Sequence, residues 1–172
     1  MEGRRILVTG GTGFIGDFTL EALSHLGAEV FSYARRPPET MADPATFIQG
    51  DVTDAEGLVS ACQTQEIDTI VHLAGYGTTM VQSHPELGVR VNIMGMSSVL
   101  EAARMAELRV VFTSSIGVYG QITLPEAASA AEDGPLNPVT VYGAGKLLCE
   151  KMGQAYAQNY NLQFIALRVT AV

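Results

Sequence analysis

The chain reads as an α/β protein built on one doubly wound parallel sheet. Three observations predict this. Six short apolar runs alternate with helical patterns along the 172 residues. Most of the runs are apolar throughout instead of alternating, as strands are when helices cover both faces of a sheet. The first run also leads into a glycine-rich loop and then a helical pattern, so the loop falls at the carboxyl end of a strand, where such sheets hold ligands.

The elements follow in order. Ile6-Leu7-Val8 is a buried strand, and Ile15, Phe18, Ala22 and Leu26 then recur at helical spacing. Gly27 is a natural helix stop, and residues 28–33 read as a second strand ended by Arg35-Arg36-Pro37-Pro38. Residues 37–45 form a loop, and 46–49 a short third strand closed by Gly50-Asp51. Thr53 or Asp54 caps a helix running to about residue 63. Residues 69–73 are the fourth strand, ending at Ala74-Gly75-Tyr76-Gly77. Pro85 opens a long helix to about residue 106. Residues 109–114 are the fifth strand, 117–138 mostly loop, 137–160 a second long helix and 163–168 the sixth strand. No internal repeat or linker interrupts this, so a single domain over residues 1–172 is expected.

Composition narrows the function. Only 16% of residues are charged, 47% are hydrophobic, and the net charge is −8, which describes a globular domain and not a disordered chain. Basic residues cluster no further than Arg4-Arg5 and Arg35-Arg36, which argues against a nucleic-acid partner. No apolar run is long enough to span a membrane, and the first residues lead straight into a core strand, so a cytoplasmic protein is the default. Cys62 and Cys149 fit no metal or redox spacing and read as small apolar residues.

Two constellations carry chemistry. In Val8-Thr-Gly-Gly-Thr-Gly-Phe-Ile-Gly16, Gly10 allows the tight turn out of the strand, Gly13 lets a pyrophosphate approach, and Gly16 lets the helix pack close to the strand. The free amides and positive dipole end of that helix then face the phosphates. Tyr142 and Lys146, four apart at the start of a helix, share one face. An ammonium beside a phenol favours the phenolate, so Tyr142 can exchange a proton with a substrate hydroxyl while Lys146 offers donors to a cofactor ribose. Gly143 and Gly145 are costly in a helix and suggest close approach of a ligand. Ser114-Ser115 sits at the carboxyl edge of the fifth strand, where a hydroxyl can hold a substrate oxygen or cap a turn.

As a set, the glycine loop, Ser115 and Tyr142-x-x-x-Lys146 resemble the extended short-chain dehydrogenase/reductase superfamily, and more narrowly its NAD(P)-dependent epimerase/dehydratase family. The likeness covers nearly the whole chain and implies a Rossmann fold. It implies that Phe14 and Ile15, with Gly10, Gly13 and Gly16, belong to the nucleotide loop. Asp51 and Val52 match the segment that contacts adenine, and Leu73, Ala74 and Gly75 the cofactor-lining stretch. Asn92 matches an asparagine of the next long helix, and Ser115 the active-site serine. The implied reaction is hydride transfer at a hydroxyl-bearing carbon of a nucleotide sugar or related carbohydrate. In it Tyr142 is the acid/base, Lys146 lowers its pKa and binds the nicotinamide ribose, and Ser115 orients the substrate oxygen. The other reading is a cofactor-binding module without turnover.

Departures from the family pattern refine this. The second strand ends in Ser32-Tyr-Ala-Arg-Arg36, without the acidic residue that binds a ribose 2′-hydroxyl, and Arg35 suits a 2′-phosphate; NADP is favoured over NAD. Asp17 is expected to face outward, away from a pyrophosphate. No acidic pair adjoins Ser115, which argues against water elimination and leaves epimerase, reductase or dehydrogenase open. The family continues past this length into a substrate-binding domain, so an amino-terminal fragment with exposed apolar surface on the substrate side is expected. The two long helices suggest a homodimer by analogy.

Overall fold

The structure, a computed structural model, describes residues 1–38, 45–120 and 132–170. Six strands form one parallel sheet: β1 (Arg5–Thr9), β2 (Glu29–Ala34), β3 (Thr46–Gln49), β4 (Thr69–His72), β5 (Arg109–Ser115) and β6 (Phe164–Val169). Their spatial order is β3-β2-β1-β4-β5-β6. The chain winds outward from β1 to β3, returns to the far side of β1 as β4, and winds outward again. This is the doubly wound Rossmann order, with its reversal between β1 and β4.

Alternate residues of each strand feed different cores. Leu7, Phe31, Ile70, Val110 and Phe112 face one side and pack with α2 (Ala55–Thr64) and α5 (Gly95–Met105) through Leu58, Cys62, Met96, Val99 and Leu100. The last long helix, α6 (Val141–Tyr160), joins the same side through Cys149. Ile6, Val8 and Val30 face the other side and meet α1 (Phe14–His25) through Leu20. Both cysteines are free and buried, as small apolar residues are. On β6 the residues Ile165, Leu167 and Val169 are exposed.

The helix starts differ in a way that matters for the site. Asp54 caps α2 by accepting from the Gly57 amide at 3.0 Å, and Thr140 caps α6 by accepting from the Gly143 amide at 3.0 Å. The first turn of α1 begins at Gly13 with no side-chain cap, which leaves its amides for another acceptor. Gly27, with φ +81°, stops α1 as expected, and Asp17 is exposed.

Four expectations are corrected. The apolar stripe Ile15, Phe18, Ala22, Leu26 identifies the helix but not its buried face: all four are exposed, and α1 buries Gly16 and Leu20 instead. Gly16 is drawn so close to the loop that the helix is turned by about one residue, ~100°. A short helix, α3 (Thr78–Ser83), precedes Pro85. The long helix from Pro85 is composite: α4 (Pro85–Leu87), a π-helical stretch (Gly88–Met94) that carries Asn92, and then α5. Finally, α6 starts at Val141 and not at 137, because Thr140, in extended conformation, caps it by accepting from the Gly143 amide. Most of the expected loops at 37–45 and 117–138 lie outside the described residues. Among the described residues no helix is long and apolar enough to cross a membrane.

The loop geometry makes Gly16 the tightest point between β1 and α1. A Cβ there would lie 2.2 Å from the Gly10 carbonyl oxygen, a backbone atom with no rotamer by which to retreat. Gly16→Ala is therefore expected to lower the unfolding free energy by ~1–3 kcal/mol. Urea denaturation measures this, and an unchanged midpoint would contradict the packing.

Candidate active site

The strand reversal opens a cleft of about 470 Å³ at the carboxyl ends of β1, β2 and β4. Gly10, Thr12 and Gly13 form one wall, Ala34, Arg35 and Arg36 extend it beyond β2, and Asp51, Val52 and Leu73–Tyr76 close it. Gly10 has φ +74°, and a Cβ on it would meet the Ala74 backbone at 2.8 Å, so the loop and the end of β4 touch only because residue 10 is glycine. The uncapped amides of α1 stand over this cleft. Phe14 and Ile15 present exposed side chains, so only their main chains are suited to a phosphate. A dinucleotide fits such a cradle: bare backbone beside the loop, helix amides for the pyrophosphate, and two arginines at the far end.

Around the cleft, polar groups hold backbone in place. Asp51 Oδ1 accepts from the Thr53 amide at 2.9 Å and the Thr53 hydroxyl at 2.8 Å, and the amide bond above all holds its carboxyl below the usual range. Asn92 does not line the cleft. From the π-helical stretch its Oδ1 accepts from the Tyr76 amide at 2.8 Å and its Nδ2 donates to the Tyr76 carbonyl at 2.9 Å. It therefore fixes the strand-four loop from behind. Arg35 donates to the Tyr76 hydroxyl at 3.3 Å, which keeps the guanidinium beside the cleft.

Next to the cleft, at the end of β5, lies the second constellation. Ser115 accepts from the Gly117 amide at 3.1 Å and caps a 3-10 turn at Ile116–Val118. Its side chain lies near enough to the Tyr142 phenol to draw that group's pKa down. Tyr142 and Lys146 do share one face of α6, and the Lys146 ammonium lies 5.7 Å from the Tyr142 ring centre and 4.6 Å from that of Phe112. Ser115, Tyr142 and Lys146 are thus brought together. Gly143 is the reason α6 can come so close. A Cβ there would sit 2.5 Å from the Gly117 carbonyl oxygen, so this glycine admits the neighbouring backbone and not a ligand.

The electrostatics differ from the expected pair. Lys146 is buried and donates to the Thr113 carbonyl, and burial lowers its pKa to about 8. Burial pushes the Tyr142 phenol above its ordinary value, and Ser115 pulls the other way. Lys146 is directed at the backbone, and burial favours the protonated phenol. Behind them His72 is fully buried, its Nδ1 2.7 Å from the Thr9 hydroxyl and its ring stacked on Phe112 at 5.8 Å. Burial and the Lys146 charge push His72 down to about 3, so it is neutral. Thr113, Tyr76 and Gly117 hydrogen-bond Lys146, Asn92 and Ser115, contacts that motif reading misses because they run through the backbone.

Residues 6–172 match the family described as the NAD dependent epimerase/dehydratase family. A UDP-glucose 4-epimerase of Azospirillum brasilense is 33% identical over 172 residues, covering 95% of this chain and 48% of that protein. A dTDP-glucose 4,6-dehydratase of Mycobacterium tuberculosis is 32% identical over 169 residues, covering 92% and 50%. The crystal structure of Thermus thermophilus UDP-glucose 4-epimerase in complex with NAD is 32% identical, with a TM-score of 0.88 over 95% of this chain and 54% of that one. The chain spans about half the length of the relatives it matches. With its glycine loop, strand order and Ser115–Tyr142–Lys146 cluster, the chain belongs to the NAD dependent epimerase/dehydratase family.

Proposed function

We propose that this protein serves hydride transfer at a hydroxyl-bearing carbon of a nucleotide sugar or related carbohydrate, as an epimerase or dehydrogenase, with NADP preferred over NAD. The observation that carries the reading is the convergence of Ser115, Tyr142 and Lys146 beside the dinucleotide cleft. When bound beside this cluster, the nicotinamide would supply hydride acceptance and hydride return at the substrate carbon. The chain's own residues handle the oxygen. Ser115 already accepts from Gly117, which leaves its proton free to meet the Tyr142 oxygen or a substrate oxygen. Tyr142 takes the hydroxyl proton as the C–O bond becomes a carbonyl and gives it back on reduction. Lys146 has three donors and spends one on Thr113, leaving two for a ribose or the phenolate. Phe14, Ile15 and Gly16 hold the pyrophosphate through main-chain amides, while Gly10 and Gly13, whose amides donate to the Tyr33 and Gly10 carbonyls, leave the loop bare for its approach. Asp51 and Val52 border the adenine, and Leu73, Ala74 and Gly75, braced by Asn92, line the middle.

The NADP preference rests on Arg35 and Arg36 at the end of β2, with no acid between Ser32 and Arg36. Arg35→Ala is expected to weaken NADPH binding ~10–100-fold, from the loss of charge-assisted hydrogen bonds, with little change for NADH. Fluorescence titration with both cofactors decides this, and an equal loss for both would contradict the assignment.

Tyr142→Phe is expected to lower kcat ~10²–10⁴-fold on a UDP- or dTDP-linked hexose while NADPH affinity stays within about twofold. Turnover at the wild-type rate would remove Tyr142 from the chemistry.

Lys146 also predicts a pH dependence of stability. Its folded pKa is lowered to about 8, so between about 8 and the unfolded value near 10.5 the unfolded chain binds the extra proton. The cost of the buried ammonium is complete below pH 8 and fades as pH rises. The unfolding free energy of wild type should thus gain on that of Lys146→Met by on the order of 2 kcal/mol from pH 8 to 10.5. Chemical denaturation at several pH values measures it, and a constant difference would show an ordinary lysine.

A further inference from the structure

Glu150 lies on the same face of α6 as Tyr142 and Lys146, one turn further on. It is 2% exposed and is the only buried carboxylate among the described residues. Both oxygens are engaged. Oε1 accepts from the Ser114 hydroxyl at 2.5 Å and from Arg168 Nε at 3.0 Å, and Oε2 accepts from Arg168 Nη2 at 2.8 Å. Arg168, on the edge strand β6, has one nitrogen left. That Nη1 donates to the Tyr119 hydroxyl at 2.6 Å and the Glu132 carbonyl at 2.7 Å, and the guanidinium lies 4.8 Å from the Tyr119 ring centre. The Tyr119 hydroxyl donates in turn to the Glu132 carbonyl at 3.1 Å. Burial pushes the Glu150 carboxyl up, and Arg168 and Ser114 more than offset it, so the pair is ionic.

Apolar residues fill such a space at least as stably as a buried ion pair does. A forked ion pair adds direction. Ser114 directly precedes Ser115, and Tyr119 closes the turn that Ser115 caps. The pair grips the chain on both sides of Ser115 and anchors it to α6, the helix that carries Tyr142. We infer that Glu150 and Arg168 are positioning residues for the reaction: they hold Ser114 and Tyr119 so that Ser115 is kept beside Tyr142. This rests on the reading of Ser115 and Tyr142 given above.

The charged and titratable groups facing this network are Arg168 from β6, Lys151 and Cys149 from α6 and Tyr119 from the turn; those facing Tyr142 are Ser115 and Lys146. The test is an NMR titration of Tyr142 in the full chain carrying ring-labelled tyrosine, with NADPH affinity measured in parallel. Ser115→Ala should raise the Tyr142 midpoint by about one pH unit, a tenfold change in its ionisation constant. Glu150→Gln and Ser114→Ala should each move it at least halfway to the Ser115→Ala value, and Arg168→Lys, which keeps the charge but loses the fork, by less. NADPH affinity should stay within about twofold in each, and Ser114→Ala combined with Ser115→Ala should move the midpoint no further than Ser115→Ala alone. Should Glu150→Gln fail to fold, Ser114→Ala removes only the hydroxyl link and decides alone. If Ser115→Ala moves the midpoint while neither Ser114→Ala nor Glu150→Gln does, the positioning role is overturned and the site reading survives. If Ser115→Ala itself leaves the midpoint in place, both fall.

Discussion

The placement of β1 between β2 and β4 is the constraint on which the site depends. Loops leaving neighbouring strands on either side of the reversal run to opposite faces of the sheet, and the crevice between them cannot be filled by the chain itself. What the chain can do is strip that crevice of side chains and point amides at it. Gly10 lets the loop touch Ala74, Gly16 draws α1 onto the loop, and the absent cap at Gly13 leaves helix amides unsatisfied. Polar side chains nearby mostly brace backbone: Asn92 holds both sides of Tyr76, and Asp51 holds Thr53. The cleft is therefore rigid for reasons that lie behind its surface.

The chemistry is set one strand further on by a second close approach. A glycine at 143 lets α6 ride on the Gly117 carbonyl, which brings the start of that helix, with Tyr142, close to the segment after Ser115. The helix then carries Lys146 into a low-dielectric slot between Phe112, Tyr142 and the Thr113 carbonyl. Burial lowers the lysine and raises the phenol, so the phenol holds its proton. His72 behind Phe112 adds no second positive charge, because burial and Lys146 keep it neutral. A site arranged this way resists ionisation until an added positive charge favours the phenolate.

Most of the fold was legible because strand patterns and helix stops are local. The six strands lie within about a residue of their expected ends, and β3 coincides with residues 46–49. What was not legible depends on contacts between distant residues. The stripe through Ile15 and Phe18 marks a helix but cannot say which face Gly16 turns inward. The π-helical stretch has no sequence period of its own, so Asn92 could be placed on the helix but not behind the Tyr76 loop. The role of Gly143 needs Gly117, twenty-six residues earlier in the chain, to be understood. Glu150 continues the i, i+4 series from Tyr142 and Lys146, a signal present in the sequence, but its partner Arg168 becomes visible only when β6 lies beside β5.

Charge placement shows how an acidic protein can suit a polyanion. The chain carries −8 overall with ten lysines and arginines, yet several of them stand at the carboxyl end of the sheet. Arg35 and Arg36 border the cleft, Lys146 lies under Tyr142, and Arg168 anchors the Ser114–Tyr119 segment. Their charges are not equivalent. Arg168 is neutralised by Glu150, and Lys146 is buried and turned to a carbonyl, so neither contributes much field in solvent. Arg35 donates to a tyrosine hydroxyl, with Asp51 near enough to attract it, and keeps its charge beside the cleft. The long-range field is negative and the local field at the end of β2 is positive, which favours an anion held at close range over one gathered from afar. Affinity in such a site comes from directed hydrogen bonds and helix amides more than from net attraction.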